Sequence, residues 1–379
     1  MRSILALLAL GASSVAALAV PGSEVAAMKR DILSRNRLAK RQSLTTGADD
    51  ATILNFALTL EHLENAFYSE ALSKFNATSF ADAGFSGLYP VLQQVGADEA
   101  AHVSFLTSAL EAAGVTPVQA CNYTFPYEDV KGFLALSQVV EGVGVSAYLG
   151  AAGDVNNTAY LTAAASILTV EARHAATIQF IHGYQPASQP EDTPLSASNI
   201  VTIVSPFFTS CPSGSAPTIP GNPALNVTTA APAIGQSLAV AAVNSSVVEN
   251  VGTVYCGFAS GLSTAFSTWD SSNSSCPIPS QNITAGQTYV VLTTGPSLAD
   301  SSVLAGPAIL QLQTANLSVG PFAGAAASNA SGTGANGAAK TSGSGTGAGA
   351  QGGSNGAATV KTGAAGVALA VVGALALVF

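Results

Sequence analysis

Two stretches of this sequence carry the same set of chemically active side chains. Glu61 is followed by Tyr68 and then by Glu99-Ala-Ala-His102; Glu141 is followed by Tyr148 and then by Glu171-Ala-Arg173-His174. At 3.6 residues per turn, positions i and i+3 share a helix face, so each Glu-x-x-His can turn a carboxylate and an imidazole toward one point. Two such pairs, with a lone Glu from each of two further helices, supply four carboxylates and two imidazoles. That donor set suits two iron or two manganese ions bridged by carboxylates inside a four-helix bundle. Each lone Glu also has a Tyr seven positions on, which returns to its face about 20° short of two full turns.

The surroundings strengthen this reading. Only four histidines occur, His62, His102, His174 and His182, and two of them follow a Glu by three positions. Leu54, Ala57, Leu58 and Glu64 share Glu61's side of its helix, and the run from Phe133 to Val145 around Glu141 is almost wholly apolar. A carboxylate in such a place is costly unless it is paired or bound to a cation. The competing interpretation, four amphipathic helices with solvated acids and histidines, does not account for the repetition. His62 lies about 100° round the helix from Glu61 and is expected to face solvent or a neighbour. His182, at the end of the last helix, is placed to meet terminal carbonyls. Neither is assigned to the site.

Four helices must position these groups: Asp50 to Lys74, Tyr89 to Ala113, Tyr127 to Gly150 and Thr158 to His182. Each is about 36 Å long. Asp49-Asp50 and Asn157-Thr158 supply N-caps, while Gly114 and Gly183 supply stops. Gly142 and Gly144 directly follow Glu141. A helical Gly costs about 1 kcal/mol against Ala, so this pair implies close helix approach, room for a small substrate, or tight packing alone.

With its Glu, Glu-x-x-His, Glu, Glu-x-x-His order, the region of about 50 to 185 resembles the ferritin-like superfamily. More narrowly, Leu54-Asn55-Phe56-Ala57-Leu58-Thr59-Leu60-Glu61-His62-Leu63-Glu64-Asn65-Ala66-Phe67-Tyr68 is similar to secreted fungal ferritin-like proteins described as stress-response or sexual-development proteins. The resemblance implies metal ligands at Glu61, Glu99, His102, Glu141, Glu171 and His174, with Glu99 and Glu171 bridging and Glu61 and Glu141 terminal. It also implies catalytic candidates at Tyr68 and Tyr148, as tyrosines that hydrogen-bond carboxylates across the bundle. Glu64, about 60° round the helix from Glu61, is kept among the metal candidates as a supporting residue behind Glu61. The expected cofactor is two Fe or two Mn ions, and the expected substrate a small oxidant: peroxide, superoxide or dioxygen. A structural cell-wall glycoprotein on the same scaffold is the alternative.

The remaining segments concern location. Met1 to Ala19 has the basic start, short apolar core and small-residue site of a secretory signal. Residues 20–41, ending at the dibasic Lys40-Arg41, read as a propeptide. Residues 321–355 are Gly, Ala and Ser with little apolar bulk, the composition of a disordered stalk. Residues 356–379 match a glycolipid-anchor signal, since the terminal apolar run is short for a spanning helix and lacks a basic flank. These features together predict a cell-surface protein held to membrane or wall by a lipid.

Between residues 42 and 355 the only basic residues are Lys74, Lys131, Arg173 and Lys340, against 19 acids, a net charge of −15. Nucleic acid is excluded as a partner, because phosphate binding needs clustered Lys and Arg. Asn-x-Ser/Thr sequons at Asn76, Asn122, Asn156, Asn226, Asn244, Asn273, Asn282, Asn316 and Asn329 fit an exported glycoprotein. Cys121, Cys211, Cys256 and Cys276 should form two bridges, with three connectivities open and Cys121–Cys211 plus Cys256–Cys276 preferred.

After the bundle of 48–185, a Pro-rich linker is expected at 186–217. Short alternating apolar runs then predict a small β-sandwich over 218–320. Past His182 there is no histidine, and the acids there are Glu191, Asp192, Glu249, Asp270 and Asp300. Acid-base or redox chemistry is therefore expected in the bundle.

Overall fold

The computed structural model describes residues 49–229 and 232–312. The signal, propeptide, stalk and anchor segments, with Asn316 and Asn329, lie outside the described residues.

Five helices occupy the region read as four. They are α1 (Asp50–Lys74), a short α2 (Ala77–Asp82), α3 (Tyr89–Ala112), α4 (Val130–Ala152) and α5 (Thr158–Ile181). Helix α2 arises because Asn76 and Ser79 form a capping box, and it inserts the fully buried Phe80 into the core. Asp49 accepts from Thr52 N at 2.8 Å and Asn157 from Ala159 N at 2.9 Å, capping α1 and α5. Helices α3 and α5 end at Gly114 and Gly183, whose φ values of 72° and 78° suit glycine. Helix α4 begins at Val130, later than expected, because Asp129 caps it through Gly132 N at 2.7 Å. Tyr127 instead packs in the aromatic cluster with Phe67, Phe125 and Phe133.

Among the described residues, helix α4 lies between the bundle and the segments that follow it. Its most apolar window has mean hydropathy 1.3 and is 83% buried, so its apolar faces are covered by protein. The bundle covers one side. Covering the other are the stretch expected to be a linker and one face of the β region. Within that stretch α6 (Ala197–Val204) and a 3-10 turn (Ser205–Phe207) bury Ile200, Val201, Ile203, Val204 and Phe207 in the bundle core. A Cβ at Gly150 would collide with the Leu195 carbonyl, and Leu195 N donates to Ser146 O at 3.1 Å. Strands β1 (Asn122–Tyr123) and β2 (Phe208–Ser210) pair beside the Cys121–Cys211 disulfide.

The following region is β-rich. Strands β3 (Leu225–Val227), β4 (Ser237–Ala242) and β7 (Ser275–Pro277) make one antiparallel sheet in the order β3-β4-β7. Strands β5 (Tyr255–Ser260), β6 (Ser263–Thr268), β8 (Gly286–Thr293) and β9 (Val303–Leu312) make a second, in the order β6-β5-β8-β9. Leu225, Leu238 and Val240 from the first sheet share one core with Phe258, Val290, Leu292 and Leu310 from the second. The Cys256–Cys276 disulfide joins β5 to β7. Because side chains alternate along a strand, Tyr289 points the other way, into the bundle core. Its hydroxyl meets Ser146 Oγ at 2.7 Å and donates to Gly142 O at 3.1 Å. A Cβ at Gly142 would collide with the side chain of Gln287, which itself donates to the Tyr289 hydroxyl at 2.6 Å.

Candidate metal centre

Glu61, Glu64 and Tyr68 come from α1, Glu99 and His102 from α3, Glu141 and Tyr148 from α4, and Glu171 and His174 from α5. All are buried; Glu61, Glu99, Glu141 and Glu171 have 0% exposure. Their donor atoms fall into two overlapping groups. Glu61, Glu99, His102 and Glu171 offer atoms within 4.8 Å of one another, as do Glu99, Glu141, Glu171 and His174. Glu99 and Glu171 belong to both groups.

Both imidazoles face the acids through Nδ1. That of His102 is 3.2 Å from Glu61 Oε2, 3.2 Å from Glu99 Oε2 and 3.3 Å from Glu171 Oε1. That of His174 is 2.9 Å from Glu99 Oε1 and 3.5 Å from Glu141 Oε2. The two His174 Nδ1 contacts do not have hydrogen-bond geometry. Glu99 Oε1, Glu141 Oε2, both Glu171 oxygens and His174 Nδ1 are buried without a hydrogen-bond partner. Orphaned acceptors packed around one space call for a cation. Carboxylate oxygen with imidazole nitrogen is a donor set that suits Fe, Mn or Zn, so these residues could hold a metal.

The electrostatics agree. Burial, with repulsion from Glu99 opposed by His102 and Tyr148, pushes Glu61 up to about 7. Burial and neighbouring acids likewise raise Glu141, and raise Glu64 and Glu171 well above the usual carboxylate range. Burial opposes charge at Glu99 too, but the two histidines outweigh it and hold Glu99 below its ordinary value. His102 is lifted to about 12 and His174 to about 11, because their carboxylate neighbours overcome the burial that disfavours their charge. Without a metal, protons supply the missing positive charge.

The tyrosines brace the acids crosswise. Tyr148 donates to Glu61 Oε1 at 2.5 Å, and Tyr68 donates to Glu141. Glu64 is 3% exposed, stands outside both donor groups and leaves Oε2 without a partner. Gly144 makes room for it: a Cβ there would lie 2.7 Å from both Glu64 Oε1 and Glu171 Oε2. His62 and His182 are elsewhere, with Nε2 atoms 3.1 Å from Val118 O and 2.9 Å from Leu134 O.

One contributor was missing from the sequence reading. Asp98 Oδ2 lies 3.2 Å from His174 Nε2, so it fixes the ring that presents Nδ1 to the acids. Its signal was its place beside Glu99, but its partner sits on another helix.

No curated protein matches the chain. Residues 49–183 match the family model described as a ferritin-like domain. With its helices, its acid and histidine order and this match, the segment 49–183 is a ferritin-like domain.

Proposed function

We propose that Glu61, Glu99, His102, Glu141, Glu171 and His174 bind two Fe or two Mn ions, and that the protein handles peroxide, superoxide or dioxygen at a cell surface under stress. The observation that carries this reading is the sharing of Glu99 and Glu171 between two donor groups, the arrangement required of bridging carboxylates. Paired ions of this kind supply two-electron chemistry with such oxidants.

The chain's own residues set the conditions. Tyr148 and Tyr68 orient Glu61 and Glu141 and hold a proton at each phenol oxygen, with burial and the adjacent acids keeping both phenols well above their ordinary pKa. Asp98 orients His174, while the apolar walls keep bulk water away. The two disulfides fit an oxidising compartment. Sequon residues Asn76, Asn122, Asn156, Asn244, Asn273 and Asn282 are exposed, which supports a surface glycoprotein; Asn226 is half-buried.

Metal analysis of protein purified from a secretory host tests this directly. Two equivalents of Fe or Mn per chain, with turnover of peroxide or superoxide or reaction with dioxygen, is the expected result. Protein that refuses both Fe(II) and Mn(II) would overturn it. The complete burial of the four carboxylates also suits a metal that only clamps the helices. Metal-loaded protein inert toward all three oxidants would establish that structural role.

A further inference from the structure

We propose that a small, uncharged, apolar molecule of dioxygen's kind reaches the acid and histidine cluster through an apolar chamber between α1, α4 and α6. The proposal rests on the reading of that cluster as a metal centre.

The chamber is walled by Leu63 from α1, Val140 and Val143 from α4, and Ile203 and Phe207 from α6 and the turn after it. It has room for about one water-sized molecule. Glu64 is the one charged or polar side chain in its lining, and Glu64 Oε2 is buried with no hydrogen-bond partner. The inner wall is Glu64 and Gly144, the point at which a Cβ would press on both Glu64 and Glu171. Gly144 thus lines the chamber and also abuts Glu171, a shared carboxylate of the cluster, since a Cβ there would lie 2.7 Å from Glu171 Oε2.

The lining decides what can sit there. A buried water makes about three hydrogen bonds, and here Glu64 is the only side chain that could offer any. An anion such as superoxide would meet apolar walls and an acid, with no cation in the lining to offset its desolvation. An apolar diatomic molecule gives up no hydrogen bonds and no charge solvation on entering. The outer wall comes from residues 203–207, beyond the ferritin-like match at 49–183, so the chamber is a product of the segment added after the bundle.

Xenon tests the chamber independently of any reaction. Crystals of the metal-loaded protein under xenon pressure should show a xenon atom between Val140, Val143 and Ile203. Ile203→Phe should fill the space, remove that atom and leave metal content unchanged. It should also slow the reaction of the Fe(II)-loaded protein with dissolved dioxygen several-fold. Val204→Leu is a smaller filling on the same wall, to be used if Ile203→Phe does not fold. An ordered water in the chamber in place of xenon would overturn the proposal. So would a filled chamber with an unchanged reaction rate. Xenon bound in a protein that takes up neither Fe nor Mn would refute the metal reading while supporting the chamber. Metal bound with no xenon would do the reverse.

Discussion

Tyr148 and Glu61 meet across the bundle, the phenol oxygen 2.5 Å from Oε1, and Tyr68 makes the reciprocal contact with Glu141. Helices α1 and α4 each hold the other's lone carboxylate. Tyr148→Phe keeps the ring but leaves Glu61 Oε1 without this donor, so denaturant unfolding of the metal-free protein should show a loss of about 1–3 kcal/mol. An unchanged midpoint would mean the pair contributes nothing to the fold.

The shared carboxylates should matter most for metal. Glu171→Ala or Glu99→Ala removes a donor from both groups, so metal content should fall toward zero while the helices persist in circular dichroism. Glu61→Ala touches one group only, and partial occupancy is expected. His62→Ala should leave metal content unaltered, since its ring contacts Val118 O. Normal metal content in Glu171→Ala would sink the assignment.

Protons and metal compete for the same space. Folding raises Glu61 from 4.5 to about 7, and His102 and His174 from 6.5 to about 12 and about 11. Groups raised in this way stabilise the fold fully below their unfolded values and lose that contribution as pH rises through the folded ones. The metal-free protein should therefore lose stability as pH rises above about 5, Glu61 supplying the part up to about pH 7 and the two histidines the part from about pH 6.5 upward. Glu99 has the opposite sign: its depressed value contributes stability that is lost as pH falls through it. Metal must displace the extra protons, so the rise in Tm on adding Fe(II) or Mn(II) should grow with pH over the same range. A Tm increment independent of pH would contradict this.

Asp98 reaches the cluster through His174. Asp98→Ala should weaken metal affinity roughly 10–100-fold by releasing the imidazole. Asp98→Asn keeps an oxygen acceptor and should recover part of that loss. Equal affinity in all three proteins, measured by competition with a chelator, would remove Asp98 from the site.

Gly144 and Gly153, both associated with α4, should respond differently to the same methyl group. Gly144→Ala places a Cβ against Glu171 and Glu64 and should displace metal; Gly153→Ala meets nothing within 4 Å and should not. Parallel metal loss in both variants would point to a general weakening of the helix instead.

The clustering of acids and histidines was legible because helical periodicity is local: Glu99 with His102, and Glu171 with His174, lie one turn apart and declare a shared face. The caps at Asp49 and Asn157 were legible for the same reason. Tertiary partners were not. Asp98 is an unremarked acid until α5 brings His174 beside it. Helix α2 is six residues long, too short for a periodic pattern to show. Helix α6 hid behind Pro186, Pro190 and Pro194, and its Ile-Val-Thr-Ile-Val run is β-branched, with helicity that comes from packing rather than propensity. Gly142 and Gly144 looked alike in sequence, yet one accommodates Gln287 and the other the acid cluster.

The Cys121–Cys211 disulfide turns part of the backbone into a covalent ring that contains α4, α5 and α6. Glu141, Glu171 and His174 ride on the ring, whereas Glu61, Glu99 and His102 belong to the arm outside it. A protease that nicks the turn between α4 and α5 would leave all six of these acids and histidines on one connected molecule. A nick between α2 and α3 would sever Glu61 from the other five, leaving it held by packing alone.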